Sequence, residues 1–124
     1  MNRLSLKIIG IAQKESLKSD VRSTKHGAVI FKNDMILGKG CNTRGKYYAY
    51  NQQFTIHAEV VAVIRCLKRH NRNVIRGSSV LVYRENGEGI SNSKPCTRCT
   101  NILKSIGIVS IYYTTKSGIE KIWR

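Results

Sequence analysis

The chain has 124 residues, 41% of them hydrophobic, with 22 Lys and Arg against 7 Asp and Glu, a formal charge of +15. That length supports one hydrophobic core, so a single domain over residues 1–124 is expected, and four unevenly spaced cysteines with no internal repeat exclude a disulfide framework or a solenoid. The charge suits a polyanionic partner, nucleic acid or a nucleotide above all, although a genome rich in Lys, Asn and Ile codons would supply part of it.

Residues 4–18 carry Leu4, Ile8, Ile11 and Ala12 at helical spacing, with Glu15 and Lys18 on the exposed side, and predict a first helix. Its basic, amphipathic character also fits a mitochondrial presequence, but a first core helix accounts for it without one. The early apolar run is broken by Lys7. It is too short for a membrane span and lacks a small-residue cleavage site. An intracellular protein, cytoplasmic or nuclear, without membrane association is the expectation.

Short β-type runs at 27–32 and 35–40 flank Asn33-Asp34, a pair that tolerates the positive φ of a tight hairpin. Residues 43–55 read as a long polar and aromatic loop. Val60, Val61, Ile64 and Leu67 mark the apolar face of a second helix from His57 to Lys68, which frays into the basic stretch 68–73. Residues 78–84 are almost continuously apolar, as in a central strand covered on both faces, and 85–93 read as loop. A third helix is predicted to begin at Pro95, a favoured first-turn position, and to stop at Gly107. Strands at 108–115 and 119–123 then form a hairpin around Lys116-Ser117-Gly118. The order α-β-β-α-β-α-β-β predicts an α/β sandwich on one sheet. Its third and fourth strands run parallel through a helical crossover, and its fifth lies antiparallel to the fourth.

Two of these helices open with chemistry: His57-Ala58-Glu59 in one and Pro95-Cys96-Thr97-Arg98-Cys99 in the other. Helix starts that follow strands gather at one edge of an open α/β sheet, so His57 can face Cys96 and Cys99. One imidazole and two thiolates suit Zn2+, and three protein ligands leave a tetrahedral position open, as catalytic sites do. Glu59, two residues past the imidazole, is placed to act as general base. Competing readings are weaker. A thioredoxin-like couple of Cys96 and Cys99 relies on a later proline, and Pro95 is the only proline here. A structural zinc wants a fourth ligand from Cys41, Cys66, His26 or His70, none of which has finger-like spacing to the pair. Cys41 and Cys66 read as packed thiols, and His26 and His70 as packing or solvated side chains.

H-x-E followed by P-C-x-x-C resembles the signature of the zinc-dependent cytidine/deoxycytidylate deaminase superfamily. Residues 25–42 resemble the first hairpin of its nucleotide-type members, ending in their Gly-x-Asn, and 93–115 resemble their third helix and fourth strand. The resemblance spans roughly residues 20–115. It implies a three-layer α/β/α sandwich with a five-stranded mixed sheet and a C-terminal hairpin. It also implies a Zn2+-dependent hydrolysis of cytosine to uracil, with Glu59 shuttling protons from water to ring N3 and to the departing ammonia. Asn42 would then hydrogen-bond the sugar or base, and the backbone N–H of Ala58 would hold the pyrimidine O2.

Single-stranded DNA or RNA is the leading substrate reading, from the net charge and from Arg44, Lys46, Tyr47 and Tyr48, with Lys94 before the proline. A free (deoxy)cytidine or dCMP is the alternative, since the strands resemble that group and it needs less positive surface. A non-catalytic zinc-containing nucleic-acid-binding module is a third reading, opposed by the presence of Glu59. A homo-oligomer is compatible with all three. Two features depart from the nucleotide-type pattern: the long connection before Pro95, with Lys94 where an acid is usual, and the C-terminal hairpin.

Overall fold

The computed structural model describes residues 4–21, 24–44 and 56–123. Its elements are α1 (Leu6–Ser16), β1 (His26–Lys32), β2 (Met35–Cys41), α2 (Ala58–Arg69), α3 (Arg72–Ile75), β3 (Ser79–Asn86), β4 (Gly89–Ile90), α4 (Thr97–Ser105), β5 (Ser110–Thr115) and β6 (Gly118–Trp123). The sheet order is β2-β1-β3-β5-β6, with the two-residue β4 paired to the end of β3. β3 and β5 are parallel through the helical crossover, and every other pairing is antiparallel: the hairpins β1–β2, β3–β4 and β5–β6, and the β1–β3 pair. Among the described residues no helix is long and apolar enough to cross a membrane.

Strand alternation divides the core into two layers. Ala28, Ile30, Val80, Val82 and Ile111 point to the side of α2 and α4, where they meet Ala62, Cys66 and Leu103. Val29, Phe31, Leu81, Tyr83 and Tyr112 point the other way, onto Ile8 and Ala12 of α1. The result is the three-layer α/β/α sandwich. Local signals hold at the turns: Asn33 adopts φ 56 between β1 and β2, and Gly107 adopts φ 98 just past α4.

Several expectations are corrected. α1 begins later than residue 4 because the Ser5 hydroxyl accepts from the Ile8 N–H at 3.2 Å and caps the helix there. Glu15 is not exposed but 2% accessible. Lys18 (3.2 Å) and Arg65 (3.5 Å) reach its two oxygens and compensate its burial. α4 starts after Cys96 rather than at Pro95, because the extended Cys96 backbone lets its sulfur cap the helix. The basic stretch 68–73 does not simply fray, since Asn71 caps the short α3 by accepting from the Val74 N–H. Residues 85–93 are not all loop: β3 continues to Asn86 and turns into the two-residue β4, which adds to the five expected strands.

The face of α2 is also different. Ala58, Ala62, Val63 and Cys66 are buried, whereas Ile64 and Leu67 are 45% and 39% exposed. The reason lies in β2. A Cβ on Gly38 would lie 2.9 Å from the Ala62 carbonyl oxygen, and one on Gly40 would lie 2.6 Å from Val61 Cγ1. Only bare backbone admits α2 this close, and close approach selects its small side chains for the contact. Gly38→Val, which β-propensity alone favours, is therefore expected to destabilise the protein by about 1–3 kcal/mol in urea unfolding.

Candidate active site

Three connections bring the reactive residues to one edge of the sheet. The isolated bridge between Thr43 and Ile56, with N–H···O distances of 3.1 and 2.8 Å, closes the chain ahead of α2 and sets His57 beside Asn42. On β5, Thr114 is fully buried and donates through its N–H to Ser93 Oγ at 2.8 Å. Ser93 Oγ in turn donates to the Val82 carbonyl at 2.7 Å. That network ties the approach to Cys96 onto β3 and β5, so both helix starts rest on fixed strands.

His57, Cys96 and Cys99 converge there, their ligand atoms all within 4.8 Å of one another. His57 Nδ1 lies 3.1 Å from Cys99 Sγ and 3.9 Å from Cys96 Sγ. A tetrahedral zinc with ordinary bonds sets N···S separations of roughly 3.6 Å, which these two distances bracket. The donor set therefore fits Zn2+: one imidazole and two sulfurs, without a further His, Cys or carboxylate in the cluster among the described residues. Cys99 is 2% exposed. Burial, and next the charge of Glu59, push its thiol well above the ordinary range, so its ionisation calls for a cation in the cluster.

Glu59 is 5% exposed. Burial is the main influence on its carboxyl and raises its pKa, against the lowering effects of its own backbone N–H, His57 and Cys99. A carboxyl moved upward in this way is a stronger proton acceptor than an ordinary one, which suits a group that takes up and returns a proton. It faces a cavity of about 260 Å³ whose wall includes His57, Ala58, Cys96, Asn42 and Lys94.

The remaining sequence-derived candidates divide. Asn42 is 5% exposed, and its side-chain amide already serves the backbone. Oδ1 accepts from the His26 N–H at 2.9 Å, and Nδ2 donates to the Thr24 carbonyl. It thus pins the first turn of β1 while keeping one lone pair and one hydrogen. Ala58 is fully buried in the first turn of α2, where backbone N–H groups have no intrahelical partner. Lys94 is exposed at the cavity, and Arg44 is exposed with its N–H donating to Asp20 Oδ1 at 2.8 Å. Lys46, Tyr47 and Tyr48 lie outside the described residues.

Sequence reading missed Thr24 and Ser93 and took His26 for a packing or solvated side chain, yet all three also line the cavity. Only position marks them: each stands at the sheet edge that collects the helix starts. His26 lies two residues from Ala28 and so shares its face, toward α2. Burial lowers the His26 pKa, with smaller lowering effects from Arg84 and His57, against the raising effect of the Thr24 carbonyl near Nδ1. A depressed imidazole contributes stability that is complete above its ordinary value of 6.5. That contribution is lost as pH falls from there through the lowered value, where only the unfolded chain takes the proton readily. Melting temperature is thus expected to drop on acidification below pH 6.5, and His26→Asn is expected to flatten that dependence.

Comparison with known proteins points the same way. Residues 3–115 match the family described as the cytidine and deoxycytidylate deaminase zinc-binding region. No curated protein sequence matches the chain. Among solved structures, the apo dCMP deaminase of cyanophage S-TIM5 is 24% identical with a TM-score of 0.72, covering 92% of this chain and 86% of that one. The same phage enzyme in complex with dCMP and dUMP is 21% identical with a TM-score of 0.64, over 91% and 85% of the two chains. A cytidine deaminase from Burkholderia pseudomallei is 18% identical with a TM-score of 0.73, over 98% and 93%. With nearly its whole length matched and a donor set that suits the metal, the chain belongs to the cytidine and deoxycytidylate deaminase zinc-binding family and is a zinc-dependent deaminase.

Proposed function

We propose that the chain hydrolyses the exocyclic amine of a free cytosine nucleotide, dCMP or CMP, giving the uracil nucleotide and ammonia. The observation that carries this reading is the cavity of about 260 Å³ on the metal cluster, where Lys94 is the one Lys or Arg among the described lining residues. One cation matches one phosphate monoester. A polynucleotide track calls for a succession of cations and stacking rings, whereas the described lining holds one Lys and no Phe, Tyr or Trp. The similar solved structures are deaminases named for dCMP or cytidine, one of them holding dCMP and dUMP. Free substrate thus takes precedence over single-stranded nucleic acid.

In this reading His57, Cys96 and Cys99 hold the zinc, which when bound supplies the Lewis acidity that makes water a nucleophile near neutral pH. Glu59 takes a proton from the attacking water and delivers it to ring N3, making C4 electrophilic. Water oxygen bonds to C4, the C4–N4 bond breaks, and Glu59 hands a second proton to the leaving ammonia. The Ala58 N–H donates to the pyrimidine O2, and the spare hydrogen-bonding capacity of Asn42 meets the sugar. Lys94 pairs with the phosphate.

The test is uracil formation from dCMP, CMP, deoxycytidine, cytidine, single-stranded DNA and single-stranded RNA. The monophosphates should exceed the nucleosides in kcat/KM by about tenfold, the value of one charge-assisted contact. Lys94→Glu should erase that preference. Turnover confined to polynucleotides would defeat the proposal.

A further inference from the structure

A reaction on a mononucleotide uses little of a +15 charge, and three of the remaining cations gather around one groove. From Val60 to Tyr83 the chain carries Arg65, Lys68, Arg69, Arg72 and Arg76 and no Asp or Glu. Arg65 and Arg69 meet Lys39 around a second cavity, about 170 Å³, between α2 and the edge strand β2. It shares no lining residue with the catalytic cavity. Its two arginines follow His57 by 8 and 12 residues, about 12 and 18 Å along the helix.

The charges in this groove are poorly balanced from within. Arg65 Nη1 donates to the Lys39 carbonyl at 3.1 Å and sits 3.5 Å from Glu15 Oε2, which fixes the guanidinium across the edge strand. Glu15 is shared with Lys18. All seven acids of the chain are described, and among the described residues neither Lys39 nor Arg69 has a carboxylate at ion-pair distance. Placement of Arg69 in the last turn of α2 complements the helix dipole, but that does not account for Lys39 on a strand. The rest of the lining is Ile36, Leu37 and Gly38, without an aromatic ring. The groove therefore offers point and fork contacts to phosphates and no platform for bases. Like-charge crowding of this kind is relieved when a polyanion binds and sheds its counterions.

We propose that the β2–α2 groove docks the phosphodiester backbone of nucleic acid through Lys39, Arg65 and Arg69, without reading its bases, at a site separate from catalysis. Binding of the zinc-loaded full chain to a labelled 20-nucleotide oligo(dT) and a 20-base-pair duplex, across a salt series, tests it. In the wild type, log K should fall linearly with log salt for both probes. Lys39→Glu with Arg69→Glu should weaken binding about 100-fold and flatten the salt slope by about two units, with deaminase turnover unchanged. The neutral pair Lys39→Gln and Arg69→Gln should give the same change at reduced size, which separates loss of contact from loss of fold. An equally charged control, Lys104→Glu with Lys116→Glu, should change affinity less than tenfold. Equal loss in the control, no binding to either probe, or binding to phosphatidylserine vesicles in place of the oligonucleotides would each overturn the assignment.

Discussion

Glu59→Gln is expected to retain zinc and fold while kcat falls by about 10⁴-fold. Glutamine has nearly the same shape, so the packing of a side chain only 5% exposed is preserved. Glu59 is outside the His57, Cys96 and Cys99 cluster, so metal content stays at one equivalent by elemental analysis. What disappears is the ability to take up and release protons during the two transfers proposed above. Burial raises the carboxyl's pKa, which means that the ionised form is held in the site at a thermodynamic cost. A neutral amide removes that cost, and a melting temperature equal to or above the wild-type value is the second expected result. Turnover within tenfold of wild type would remove Glu59 from the proton path.

The metal cluster was legible because its parts are local. H-A-E and P-C-x-x-C each fix side chains within a single helix turn, and the parallel crossover of β3 and β5 brings the two turns to one edge. Turn chemistry was equally local at Asn33 and Gly107. What escaped depends on partners far along the chain. Glu15 could not be read as buried, because one of its compensating cations, Arg65, stands 50 residues away. On α2, two apolar stripes overlap in sequence, and the choice between them is made by Gly38 and Gly40 on another element. Residues 91–93 are loop, as their polarity suggests, but the burial of Ser93 within that loop is invisible to hydropathy. Ser93 is buried through Val82 and Thr114, and Asn42 through the backbone of Thr24 and His26. The cavity is accordingly framed by these buried polar anchors as well as by the signature residues.

Cys99→Ser separates the metal from the rest of this architecture. In the folded protein the Cys99 sulfur lies 3.1 Å from His57 Nδ1 inside the core edge, where burial, Glu59 and Cys96 all oppose its ionisation. A serine hydroxyl is far harder to ionise than a thiol and is a poor zinc ligand, so the same surroundings leave it neutral. Zinc is expected to be lost on dialysis, and turnover with it. Stability falls as well, because bound metal favours the native state by about 4 kcal/mol when free zinc stands 1,000-fold above its dissociation constant. Cys96→Ser should lose zinc by the same chemistry, but at an exposed position it disturbs no core packing. Cys66→Ser provides the opposite result. Cys66 is buried against β2 and is not part of the metal cluster, so its replacement should lower the unfolding free energy by about 1–3 kcal/mol while zinc remains bound. Full zinc occupancy in Cys99→Ser, measured by elemental analysis beside these two variants, would show that the ion is held elsewhere.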